Sequence, residues 1–154
     1  MTARQSYHLT FARFSPALSV KSFTASEAAN TAYRVEITAT STDSSLPLSS
    51  YLNQRAAFEI RLQEAVLSEV AAAFAAGSDE SPAKQWQGIV TSCEKLSVSK
   101  DETVYRFVLD PRFAALKHFQ SSRLFQNQTV PDIVAAVFKH HGFFGVDYRF
   151  QKSR

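Results

Sequence analysis

Cys93 is the only cysteine in the 154-residue chain. No internal disulfide can form, which excludes a secreted scaffold held together by bridges. Glycine is scarce, at 4 of 154 residues, well below the usual ~7%. Neither G-x-x-x-x-G-K-S/T nor G-x-G-x-x-G occurs, so phosphate sites built on those spacings are excluded. No stretch approaches the ~18 consecutive apolar residues of a membrane-spanning helix. The first residues, Met1 to His8, lack the apolar core of a signal peptide, so synthesis and folding are expected in the cytoplasm. There is no H-E-x-x-H, no paired C-x-x-C and no G-x-S-x-G. Those absences leave no metal-site or nucleophile-elbow signature.

Hydrophobic residues make up 45% and charged residues 20%, the balance of a globular domain rather than a disordered chain. A chain of this length buries about 68–70% of its unfolded surface and needs no metal to hold a core. The net charge of +3 is unevenly spread. Residues 1–26 carry Arg4, Arg13 and Lys21 and no acids. Residues 27–102 carry 6 bases and 11 acids, and residues 103–154 carry 8 bases and 3 acids. The basic residues of the last part are well separated and read as a solvated surface or a face that meets a partner.

Period-two alternation dominates the first 62 residues. Tyr7, Leu9 and Phe11 alternate with polar neighbours, a second run spans Leu18 to Phe23, and Tyr33, Val35, Ile37 and Ala39 make the cleanest half-buried strand. Pro47 to Leu52 fits one helical turn, and Phe58, Ile60 and Leu62 form a further strand. Residues 64–76 are rich in helix formers, with a narrow stripe of Val66, Val70 and Phe74 and a stop at Gly77. Trp86 to Leu96 and Thr103 to Asp110 return to strand, joined by a hairpin loop at 98–102. Trp86, Gly88 and Val90 are expected on one face, and Ile89, Thr91 and Cys93 on the other. Residues 111–126 fit neither period. Thr129 and Asp132 form a capping box that opens a helix over 130–141, closed by Gly142. Val146, Tyr148 and Phe150 then alternate as a strand. About eight strands and two helices result. The fold class is β-rich α+β: an antiparallel β-barrel or curved sheet with two helices packed on it. Tyr33, Val35, Ile37, Phe58, Ile60, Val90, Phe107, Leu109, Ile133, Val137 and Phe138 are the expected core.

Candidates for chemistry are few. His8, His118, His140 and His141 lack metal-ligand spacing. His140 and His141 fall in the last turn of the second helix, where a cation gains about 0.3–1 kcal/mol from the helix dipole. Cys93 reads as a small buried hydrophobe. Glu27, Asp110 and Asp132 stand isolated, and the last two have capping roles. No catalytic, cofactor-binding or metal-binding residue emerges, so the chain reads as a non-enzyme. A basic, aromatic-rich barrel can stack single-stranded nucleic acid, but these aromatics alternate with polar residues as core positions do. A stand-alone nucleic-acid-binding module is therefore a minor alternative.

The order of several blocks is more specific than any one of them. It runs Phe23-Thr-Ala-Ser-Glu27, Tyr33-Arg-Val-Glu-Ile37, Leu46-Pro-Leu-Ser-Ser-Tyr-Leu52, Gln87-Gly-Ile-Val-Thr-Ser92, Tyr105-Arg-Phe-Val-Leu-Asp-Pro111, Ser122-Arg-Leu-Phe-Gln126 and Thr129-Val-Pro-Asp-Ile133. This series resembles the amino-terminal region of the VgrG spike proteins of type VI secretion systems. That region is in turn similar to the baseplate hub of contractile-tailed phages, a context that remains the alternative machine. The resemblance implies a single hub-like domain over 1–154, an amino-terminal fragment of a longer spike protein, with 63–85 an insertion or mobile segment. It implies a structural role without a cofactor: a homotrimer in the full-length protein that caps a hexameric Hcp tube ring and helps carry effector or tip proteins through a target envelope. It also implies cytoplasmic assembly and export through the apparatus without a signal peptide or membrane anchor. The charge asymmetry suggests head-to-tail complementarity between neighbouring subunits, with Arg106, Arg112 and Arg123 as candidates.

Overall fold

A computed structural model describes residues 4–63, 84–145 and 147–151. The chain divides into two compact units, Met1–Ala114 and Ala115–Arg154. The helix expected over 64–76 and the core of the 63–85 insertion lie outside the described residues.

The first unit is one antiparallel sheet of six described strands: β1 (Arg4–Phe11), β2 (Ser19–Ser26), β3 (Arg34–Ser41), β4 (Arg55–Gln63), β5 (Lys84–Val98) and β6 (Thr103–Asp110). Their order in space is β1-β4-β5-β6-β3-β2. The sheet curls into a nearly closed barrel whose two edges, β1 and β2, come together without a hydrogen-bonded ladder. Tyr7 of β1 meets Phe23 of β2 instead, with ring centroids 5.4 Å apart.

The barrel interior follows the alternation of the sequence. Val35, Ile37 and Ala39 of β3 are fully buried and lie opposite Leu109, Phe107 and Tyr105 of β6. Phe58 of β4, Trp86 and Val90 of β5, and Phe11 of β1 complete the interior. A short helix, α1 (Leu48–Tyr51), drops Tyr51 into the core, where its ring lies 4.9 Å from Phe11 and 5.7 Å from Phe107. Two expected core residues sit at the rim. Tyr33 is half-buried because its hydroxyl must reach a partner, the Gln87 carbonyl. Ile60 is half-buried because it pairs with Tyr7 on the edge strand and with Lys84 at the start of β5.

Strand β5 departs from simple alternation. Register shifts occur between Val90 and Ser92 and between Lys95 and Ser97. Each inserts one residue and flips the following side chains to the other face. Cys93 therefore lies opposite Phe107 and packs against the core, on the same side as Val90. The expected grouping of Cys93 with Ile89 is corrected by that bulge. The hairpin at 98–102 forms as expected, closed by the Ser99 amide donating to the Glu102 carbonyl at 2.9 Å.

A 3₁₀ helix covers Arg112–His118. In the second unit, α2 (Val130–His140) opens on the expected capping box: Thr129 accepts from the Asp132 amide, and Asp132 accepts from the Thr129 amide. Gly142 follows with φ 75°, the left-handed backbone that glycine adopts at low cost. Ile133, Val137 and Phe138 are only half-buried, and no residue of α2 is fully buried. A unit this short has too little chain to enclose an apolar stripe. The strand expected over 146–150 is absent among the described residues 147–151. With no neighbouring strand to pair with among the described residues, Tyr148 packs edge-on against Phe138 at 4.8 Å.

Candidate assembly surface

The carboxylates that look isolated in sequence are each held by a neighbour. Asp110 is buried and closes β6. Register places it beside Arg34, the first residue of β3, because Val35 lies opposite Leu109. Arg34 Nε and Nη2 donate to the two Asp110 oxygens, each at 3.0 Å, a bidentate pair. Thr91, the bulged residue of β5, donates to Asp110 Oδ2 at 2.7 Å. Asp110 is thus a clasp across β3, β6 and β5. Gly88 is required beside it: an added Cβ would lie 2.2 Å from the Asp110 carbonyl oxygen. At the same end of the barrel, Glu27 accepts from Lys84 Nζ and from Trp86 Nε1, both at 2.6 Å.

The charges follow these contacts. The hydrogen bond from Lys84, then that from Trp86, holds the Glu27 carboxyl below its ordinary value. The hydrogen bond to Asp110 raises Arg34 further. Burial, reinforced by Asp110 and Glu27, pushes the Tyr33 phenol up. None of these groups is a poised acid or base, because each carboxylate is already spent on a cation or an N–H.

The histidines do not converge. His8 Nε2 sits 3.2 Å from Ser6 Oγ on the edge strand. The His140 and His141 rings stand edge-on, 5.0 Å apart, at the end of α2. Cys93 Sγ donates to the Leu48 carbonyl at 3.0 Å, and burial raises its pKa. Among the described residues, no three His, Cys, Asp or Glu side chains come close enough to hold a metal ion. Arg106, a candidate for contacts between subunits, pairs with Glu94 of the same chain at 3.0 Å. The Arg34–Thr91–Asp110 clasp was missed in sequence, although the facing register of the third and last strands would have found it.

What the molecule offers is surface. The barrel aromatics Phe11, Tyr51, Phe58, Trp86, Tyr105 and Phe107 point inward, so they present no stacking platform for bases. Among the described residues, β1 and β2 carry no further hydrogen-bonded strand on their outer sides, a feature that isolated proteins normally protect. In the second unit, Phe119, Leu124, Val130 and Phe144 are 61%, 83%, 73% and 60% exposed.

Known proteins share this arrangement. The family model described as phage tail baseplate hub (GPD) matches residues 26–154. The type VI secretion system spike protein VgrG1b of Pseudomonas aeruginosa is 29% identical over 122 residues, covering 79% of this chain and 14% of that protein. The spike protein VgrG4b of the same organism is 39% identical over 64 residues, covering 42% of this chain and 8% of that protein. The solved structure of the E. coli c3393 protein superposes with a TM-score of 0.70 at 29% identity, over 90% of this chain and 33% of that one. The E. coli protein is described as a component of the type VI secretion system, with structural similarity to the T4 bacteriophage tail proteins gp27 and gp5. The chain therefore spans only a small part of these curated relatives.

Proposed function

The chain belongs to the phage tail baseplate hub family, and from that membership we propose that it forms the amino-terminal hub wall of a type VI secretion spike. In this reading, residues 1–154 act as one hub-like domain of a longer protein. Three copies assemble around a common axis, cap an Hcp tube ring, and travel with effector or tip proteins out through the apparatus and into a target envelope. The spike is put together in the cytoplasm and leaves without a signal peptide. The work is mechanical, and the protein needs no cofactor or metal.

The observation that carries the reading is the six-stranded barrel closed by side chains at the β1–β2 seam, in a chain whose fold matches a type VI component over 90% of its length. A rigid barrel whose edge strands have no further strand partner among the described residues suits a wall element: edges costly in a monomer are covered once neighbours close a ring. The buried ladder of aromatics gives stiffness.

The test is co-purification of the full-length spike with its tube ring protein, read by native mass spectrometry. Three spike chains on one six-membered ring are expected. A spike that stays monomeric and never retains the ring overturns the proposal.

A further inference from the structure

The barrel end formed by the close of β1 and the start of β4 holds a polar cavity of about 440 Å³, lined in part by Arg13 and Arg55. The Ala12 amide donates to the Arg55 carbonyl at 2.9 Å, which sets the two arginines at the same strand end. Elsewhere on the barrel Arg34, Arg61, Lys84 and Arg106 are each spent on a carboxylate. Arg13 and Arg55 are exposed, and neither forms an ion pair among the described residues. Two free guanidinium groups at one cavity call for negative charge from outside.

The cavity wall is fixed before any ligand arrives. The Asn53 amide donates to the Val90 carbonyl, and the Val90 amide to the Gln54 carbonyl, each at 2.9 Å. Asn53 has φ 60°, a left-handed conformation that asparagine tolerates. A preformed site loses little on ordering when it binds. Gln54 Nε2 donates to the Ser50 carbonyl, yet Gln54 Oε1 is buried without a hydrogen-bond partner. A buried acceptor left unmatched is destabilising, so the Gln54 amide gains when it turns to an N–H brought into the cavity. Apolar surface lies beside the charges. Leu52 also lines the cavity and is 43% exposed. Phe14, one residue after Arg13, is 39% exposed and rests its ring 5.4 Å from that of Tyr51. Arginine and aromatic side chains around a preformed pocket are the composition of a protein-binding surface. A small inorganic anion supplies charge and no apolar group. A nucleic-acid backbone supplies charge and no N–H beside it. A peptide with acidic and apolar side chains supplies all three.

We propose that the Arg13–Arg55 cavity is a docking site for an acidic peptide segment of a partner protein. Carboxylates of the segment meet the two guanidinium groups, a backbone N–H meets Gln54 Oε1, and an apolar side chain covers Leu52 and Phe14. The inference goes beyond the hub reading, because it stands on the side chains of this barrel end and holds for whatever machine carries the barrel.

The experiment titrates the chain into a fluorescein-labelled peptide of glutamate, leucine and glycine and reads fluorescence polarisation. Saturable binding is expected, weaker in about 0.5 M salt than in about 0.05 M, where exposed charges are less screened. R13E/R55E should weaken it roughly tenfold or more. R123E/R149E makes the same change of charge at exposed positions of the second unit and should leave binding within about twofold, which separates a site from the general attraction of a basic chain. R13K/R55K keeps the charge but loses the planar fork, and should fall between the parent and R13E/R55E. Circular dichroism of each variant checks the fold. Absence of saturable binding, or equal loss in the two reversed variants, overturns the assignment. So does equal binding of a peptide with lysine in place of glutamate, which would mark apolar adhesion only. Displacement of the peptide by inorganic phosphate at matched ionic strength would mark a small-anion site, and tighter binding of a single-stranded oligonucleotide at the same arginines would mark a nucleic-acid site; either result also overturns it. Ring capture by the parent spike is read separately, so failure here leaves the hub reading standing.

Discussion

Replacing Phe107 by Ala tests the barrel core at its centre. Phe107 is 1% exposed, and its ring lies 5.3 Å from Phe11, 5.7 Å from Tyr51 and 6.4 Å from Tyr105. Burying such a ring contributes about 1.5–3 kcal/mol by transfer alone, and each aromatic contact adds roughly 0.5–1.5 kcal/mol. The surrounding strands are locked by ladders on both sides of β6, so the site cannot collapse and a cavity remains. Together these place the loss at about 3–5 kcal/mol, the range of Phe-to-Ala changes in cores. In a domain of this size that lowers Tm by roughly 6–20 °C. Trp86 supplies the assay. It is the only tryptophan, is 5% exposed, and stacks on Phe58 at 5.8 Å. Its fluorescence during urea unfolding reports the barrel unit specifically. The midpoint should fall with the slope unchanged. Leu124→Ala is the control, since Leu124 is 83% exposed and its loss should stay within about 0.5 kcal/mol. A Phe107→Ala cost below about 1 kcal/mol, or one equal to that of Leu124→Ala, refutes the placement of Phe107 in a fixed core.

Three further outcomes follow from the polar contacts. Arg34→Ala removes two donors from buried Asp110 and should cost about 1–3 kcal/mol; Asp110→Asn should cost less, because half-exposed Arg34 can turn to water. Equilibrium unfolding of both variants decides, and the reverse order contradicts the clasp. The hydrogen bonds from Lys84 and Trp86 hold the Glu27 carboxyl below its ordinary value, so its contribution is present above the ordinary carboxylate range and fades as pH falls through the folded pKa. Glu27→Gln should flatten the acid side of the stability profile and leave its neutral side sloped as before; an unchanged acid limb counts against the Lys84–Trp86 pairing. The Cys93 thiol, raised by burial, should react with a thiol reagent at pH 8 far more slowly than after unfolding in urea; equal rates contradict its seat against the core.

The strands were legible because their alternation is local. Val35, Ile37, Phe58, Val90, Phe107 and Leu109 announce the buried face by spacing alone, and Thr129 with Asp132 announces the helix start. The misreadings all involve relations between distant residues. Nothing near Cys93 reveals the bulge at Thr91 that turns it inward. Asp110 shows no cationic partner until β3 is laid beside β6 and Arg34 arrives opposite. Tyr148 and Phe150 alternate as a strand should, yet no partner strand exists for them among the described residues. The stripe of Ile133, Val137 and Phe138 has the spacing of a core face, but the second unit leaves it half-covered. Closure of the barrel through Tyr7 and Phe23, and the gathering of Arg13, Gln54 and Arg55 into one cavity, depend on curvature that no local pattern encodes.

The central claim is that this region is a mechanical part of the secretion spike. Deleting it in frame from the full-length gene, in a strain with no other spike gene, puts that claim at stake. The account predicts that tube protein and cargo vanish from the medium while tube protein inside the cell keeps its level. Continued release at the parental rate would contradict it.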